Sequence, residues 1–217
     1  MTATPTSQLT DVTRTVTLTR EHATVALEQT FPVHPEELWS ALTIGSHLEV
    51  WFGRASGEVV EGGRFELPDM ETRGSVLAVE EPHRLLLSWE LGTSKSEMEL
   101  LVAPVEADEE GAAAGSRFTL RHTVPLDAHW KTFGPAAVGC GWDAALYALA
   151  LHLEDPAADL IRRLGDFAGS PEGAEFTHAT AEAWFEAHVA AGADKKPARK
   201  ASVRTADFYL GEEPELS

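Results

Sequence analysis

The chain predicts an α+β fold, a curved antiparallel sheet of about seven strands wrapped around one long helix near the C-terminal side, with extra helices after it. Three stretches carry this. Between residues 73 and 124 the side chains alternate: Leu85, Leu87 and Trp89 share one face, then Met98, Leu100 and Val102, then Phe118, Leu120 and His122, with mostly Arg, Glu, Ser and Thr opposite. Period-two alternation marks a sheet wet on one side and covered on the other. Residues 136–154, AAVGCGWDAALYALALHLE, align Val138, Trp142, Leu146, Leu149 and Leu153 on one helical stripe, with Cys140, Ala144, Tyr147 and Leu151 beside it. So broad an apolar face needs cover, and the concave side of the sheet supplies it. Residues 30–67 read as a strand end, two short helices and a Gly-Gly hairpin.

In chain order, the first eleven residues have no periodicity and are expected to be disordered. Val12, Val16 and Leu18 then alternate with Thr13, Thr15, Thr17 and Thr19. A polar turn near Glu21 and His22 leads to Val25, Leu27 and Phe31, which makes an N-terminal hairpin the simplest reading. Pro35 stands where a helix would begin, a position whose N–H has no intrahelical partner, and Glu36 and Glu37 put negative charge on that helix's positive end. Leu38, Trp39 and Leu42 follow at helical spacing, and Leu48, Trp51 and Phe52 repeat the pattern. Six later strands fall near residues 57–60, 63–68, 73–80, 84–90, 96–103 and 116–124. EADEEGAAAGS, residues 106–116, reads as an exposed loop between the last two. After Asp155-Pro156 come helices near 157–168, 175–191 and 197–209. Three divisions result: residues 1–11, a sheet-and-helix domain over 12–155, and an accessory helical segment over 156–217.

TFPVHPEELWSALTIGSHLEVWF, GEVVEGGRFEL, EEPHRLLLSWE and SRFTLRHTV, with an apolar helix last, resemble the SRPBCC or START-like superfamily, in the branch of the activator of Hsp90 ATPase C-terminal domain. The match runs from about Val25 to Leu153. It implies a helix-grip fold with a cavity between the long helix and the sheet. AWFEAHVAAGAD with RTADFYLGE is similar to tails on some bacterial members. The resemblance implies a binding protein for a hydrophobic or amphipathic small molecule; a chaperone-associated protein and a cyclase- or hydrolase-like enzyme are the alternatives.

Charge narrows the partners. Thirty-five acidic residues against 17 basic give a formal net charge of −18, which repels phosphate backbones and anionic lipid heads, so neither nucleic acid nor a membrane surface is expected to bind. MTATPTSQLTDV has neither a basic start nor an apolar run, and the apolar stretch at 144–151 is far below the roughly 20 residues of a membrane span. A cytoplasmic protein is expected. Cys140 is the single cysteine, so no internal disulfide forms, and no Cys/His spacing fits zinc. No cofactor is called for.

The candidate ligand-binding residues are those whose faces point between sheet and helix. From the sheet these are Phe65, Leu87, Trp89, Met98, Leu100, Phe118, Leu120 and His122; from the helices, Trp39, Trp51, Trp142, Leu146 and Leu149. Gln29 joins them because it sits between inward-facing Leu27 and Phe31, and a buried amide must bond to backbone or to a ligand's polar group. Large aromatics are more often core than site, and His122 is more often a hydrogen-bonded sheet histidine than a proton carrier. No acid–base pair stands out, so no catalytic residue is assigned. The expected cavity is apolar and in the range of roughly 300–1,000 Å³. Cys140 reads as a small buried hydrophobe, Gly62-Gly63 as a hairpin turn, and KKPARK at 195–200 as a solvated helix start. Trp184, Phe185, Val189, Phe208 and Tyr209 are too apolar for a free linker. They are expected to dock on their own domain, as a lid over the cavity, with pairing between two copies as the alternative.

Overall fold

The structure is a computed structural model, and it describes residues 3–106 and 114–213. Most of the loop expected at 106–116 lies outside those residues. Eight strands form one antiparallel sheet: β1 (Thr13–Leu18), β2 (His22–Phe31), β3 (Ser56–Gly57), β4 (Arg64–Leu67), β5 (Thr72–Glu80), β6 (Arg84–Leu91), β7 (Ser94–Val105) and β8 (Gly115–Pro125). Their order across the sheet is β1-β2-β8-β7-β6-β5-β4-β3. Register carries the apolar face from strand to strand: Leu27 stands opposite Leu120, Leu120 opposite Leu100, and Leu100 opposite Leu85. The next row joins Val25, His122, Met98 and Leu87. A register shift between Val76 and Ala78 bends β5, as an extra residue in one strand does. On the solvent face Glu99 joins Arg84 and Arg121 at 2.8 and 3.0 Å. The strand expected at 57–60 shrinks to Ser56–Gly57, because GEVVEGG spends its other residues on the turn in which Gly62 (φ 81°) bonds to Val76.

Among the described residues eight α-helices accompany the sheet. α1 (Pro5–Asp11) comes first, α2 (Pro35–Thr43) and α3 (Gly45–Trp51) lie between β2 and β3, and α4 (Ala128–Phe133) leads into α5 (Ala136–Glu154). α6 (Leu160–Ala168), α7 (Pro171–Ala190) and α8 (Lys195–Tyr209) complete the chain. α5 lies against the concave face, Leu146 and Leu149 being 2% and 0% exposed. By length and composition it could cross a membrane, but 61% of its apolar window is buried within the fold. It is apolar nearly all round because two layers cover it: the sheet on one side and α7 with α8 on the other.

The N-terminal segment departs from the expected disorder. Thr4 and Ser7 form a reciprocal capping box that starts α1, Pro5 occupies its first turn, and Gln8 is 1% exposed. The tail docks on its own domain, and a buried junction on α5 anchors it. Asp143 on α5 accepts from Arg14 Nε at 3.0 Å and Nη2 at 2.7 Å, and from the indole N–H of Trp184 at 2.8 Å. Arg14 also donates to the carbonyls of Leu9 and Val12. One carboxylate thus ties together α5, α7, β1 and the end of α1. The indole reaches it because Gly139 has no side chain: a Cβ there would overlap the Trp184 ring. Phe208 and Tyr209 differ from expectation, staying 63% and 42% exposed at the end of α8, where Tyr209 donates its hydroxyl to the carbonyl of Ala137.

Candidate functional site: an apolar cavity bounded by an aromatic wall

A cavity of about 120 Å³ lies between the sheet and α5, closed at one side by α3 and the β3–β4 segment. Ten of the fourteen residues expected from the sequence line it: Trp51, Phe65, Leu87, Trp89, Met98, Leu100, Phe118, Leu120, Trp142 and Leu146. Glu58, at the exposed rim, is the one charged residue in the lining. Period-two alternation puts the β6, β7 and β8 residues on one face, and the helical repeat brings Trp142, Ala145 and Leu146 opposite them. Phe65 can cross strand β5 because position 74 is glycine; a Cβ there would overlap the Phe65 ring and the Ser88 carbonyl.

Four expected residues lie elsewhere. Gln29 exchanges amide hydrogen bonds with Gln8 at 3.0 and 3.1 Å, so the helix that replaces the expected disorder supplies its partner. Trp39 and Leu149 are packed in the core, 5% and 0% exposed, and do not reach the cavity. His122 sits behind Trp142. The cavity, about 120 Å³, is also much smaller than expected, with Trp142 set between Phe52 and Trp89 at its edge.

Residues that the sequence reading did not assign include Leu42, Leu48, Phe52, Leu67, Val76, Leu85 and Ala145. Phe52 matters most. Its ring stacks on Trp142 at 6.0 Å and 10°, Trp142 meets Trp89 edge-on at 5.5 Å, and Trp51 abuts Phe52 at 5.2 Å. These rings form a wall along one side of the cavity. Its helical spacing from Leu48 was visible in the sequence, but which way the last turn of α3 points was not.

Trp142 is fixed by one chain of hydrogen bonds. An indole N–H only donates, so His122 Nδ1, 3.0 Å away, is an acceptor and the ring proton sits on Nε2. Nε2 donates to Ser96 Oγ at 2.8 Å, and Ser96 donates to the Trp89 carbonyl at 3.2 Å. Both nitrogens of His122 are therefore committed, and burial pushes its pKa from 6.5 down to about 4. The unfolded chain takes up this proton at higher pH than the folded one. The stability that neutral His122 contributes is whole above about pH 6.5 and is lost as pH falls towards about 4, a difference of about 3 kcal/mol. Urea unfolding at neutral pH and near pH 4.5 is expected to show a larger acid loss for wild type than for His122→Phe; equal losses would contradict this account of the ring.

Cys140, buried against α7, has its thiol pushed up to about 12 by burial and accepts from Thr180 Oγ1 at 3.6 Å. It is a poor nucleophile. Among the described residues no group of three His, Cys, Asp or Glu side chains is placed to hold a metal ion.

A curved sheet gripping a helix around an apolar cavity defines the helix-grip class. Residues 32–154 match the model of the family described as activator of Hsp90 ATPase homolog 1-like protein. The chain belongs to that family. Among solved structures it is similar to CalU16 from Micromonospora echinospora, with a TM-score of 0.64 at 24% identity over 83% of this chain and 97% of that one. It is also similar to protein EF2215 from Enterococcus faecalis, with a TM-score of 0.59 at 18% identity over 87% and 96%. MLL2253 from Mesorhizobium loti gives 0.52 at 22% identity over 60% and 96%. At these identities the likeness is one of fold. No curated protein matches the chain.

Proposed function

We propose that the protein is a cytoplasmic binding module that holds a small, neutral, apolar molecule between its sheet and α5. The observation that carries this is the cavity itself: preformed, about 120 Å³, and walled almost wholly by hydrocarbon. An apolar cavity of about 150 Å³ stays dry and takes up benzene, so a ligand part of about one ring fits this one. The acidic surface favours a neutral ligand over an anion. A molecule that binds only the folded state raises stability by about 2.7 kcal/mol at a hundred times its Kd. Benzene and toluene are expected to raise the melting temperature in a concentration-dependent manner. No rise with any one-ring apolar molecule at millimolar concentration would overturn the reading.

The family's description supports a second reading, association with an Hsp90-type chaperone. Measuring a chaperone's ATPase rate with and without the protein decides it: stimulation supports the association, and an unchanged rate removes it.

A further inference from the structure

A second hollow of about 570 Å³ lies on the other side of the aromatic wall, between α5 and the tail helices. The end of α3 and the sheet contribute Trp51, Phe52, Thr72, Trp89, Leu91 and His122 to it. It is lined by the outer face of α5, by Leu164 and Phe167 of α6, by Phe176, Thr177 and Thr180 of α7, and by Tyr209 and Leu210 at the end of α8. Trp51, Phe52, Trp89, Trp142 and Ala145 line both spaces. The two hollows therefore adjoin at these residues.

We propose that the two hollows are the halves of one binding site for an elongated, neutral amphiphile, with Trp142 as the partition between them. The proposal rests on the reading that the inner cavity holds an apolar group, and it extends that reading to the rest of the ligand. The inner half alone falls short of the roughly 300–1,000 Å³ of ordinary ligand pockets, whereas the pair falls within that range. The apolar end occupies the inner half, and the remainder lies along α5 in the outer one. There Tyr147 and the hydroxyls of Thr177, Thr180 and Tyr209, which donate to backbone carbonyls and can still accept, offer neutral polar contacts, and no carboxylate, lysine or arginine lines the hollow.

Trp142 suits the role of a partition. It is half-buried, and its one side-chain hydrogen bond goes to His122, which also lines the outer hollow. Turning the indole towards the outer space breaks that bond and opens the inner cavity to the outer one. The tail is then more than a cover for α5, since α6, α7 and α8 supply the wall of the outer half that faces this helix.

Binding of a series of straight-chain alcohols, hexanol to decanol, to the intact chain tests this by calorimetry. Each further methylene taken out of water tightens binding roughly fourfold. Decanol is therefore expected to bind on the order of a hundredfold more tightly than hexanol. Filling the outer half should remove the gain. Ala144→Trp is the first variant and Ala168→Trp the second, both at exposed positions lining that half. Trp142→Ala should increase decanol affinity. Hexanol binding with no gain for decanol, or a gain that survives both filling variants, overturns the two-part site and leaves the inner cavity standing. Failure of every alcohol to bind overturns both readings together.

Discussion

Asp143→Ala is expected to cost about 3–5 kcal/mol of folding stability, the range measured when one partner of a buried ion pair is removed. Asp143 is fully buried and Arg14 is 6% exposed, so the substitution strands a guanidinium away from water. It also deprives the Trp184 indole of its acceptor. Burial by itself raises the pKa of the Asp143 carboxyl, and the bonds from Arg14 and Trp184 oppose that rise. Against a total stability of about 5–15 kcal/mol for an ordinary domain, the loss is large. Urea unfolding reads it, and increased binding of a hydrophobic dye reports that α7 has come away from α5. Arg14→Met combined with Asp143→Leu should recover the part of the loss that comes from the stranded charge, while the Trp184 indole still lacks its acceptor. A single-variant cost below about 1 kcal/mol would mean that water reaches the pair and that the junction does not hold the tail.

Leu120→Arg should abolish uptake of one-ring ligands and destabilise the fold by about 3–5 kcal/mol, since it places an unpaired charge in an apolar wall. Leu120 is 2% exposed and stands in register between Leu27 and Leu100. Its side chain lines the cavity, whose one charged lining residue, Glu58, stands at the exposed rim. Should the variant fail to fold, Leu120→Met keeps the test alive. That change roughly conserves volume and usually costs less than about 1.5 kcal/mol, so the variant should fold and still bind. A folded Leu120→Arg protein with unchanged affinity would place the ligand elsewhere.

Much of this architecture was legible because two periodicities do not resemble one another. Leu85, Leu87 and Trp89 can share a face only in a strand, and Trp142, Leu146 and Leu149 only in a helix. The same rule, applied to Phe118 and Leu120, found most of the cavity lining. What it could not supply was distance. Leu149 has the correct phase but lies where α5 meets the sheet closely, and Trp39 has the correct phase on a helix that packs into the core. Gln29 was ambiguous in principle, since its partner belongs to a segment whose sequence, PTSQLTD, has no apolar stripe and declares itself only through a Thr-Pro start and a serine two residues further on. Gly74 and Gly139 were invisible for another reason. Gly139 is a glycine because the Trp184 ring of α7 lies against it, and Gly74 because the Ser88 carbonyl of β6 and the Phe65 ring of the paired strand β4 do, requirements that appear only once the chain has folded.

The side of the fold covered by the tail follows the same logic. Trp184 was rightly expected to need burial, but a sequence cannot say that its indole nitrogen will meet a carboxylate 41 residues earlier. Phe208 and Tyr209 remain partly exposed at the last turn of α8, where Phe208 meets the Phe133 ring on one side and Tyr209 reaches the Ala137 carbonyl through its hydroxyl.

The central claim, that the space between the sheet and α5 is a site for a small apolar molecule, is tested most directly by a crystal structure of the protein soaked with benzene. The account predicts density for one ring between Trp142, Phe118 and Leu120, with the surrounding side chains little moved. Side chains closed solidly over that space, with benzene absent or bound only elsewhere, would contradict it.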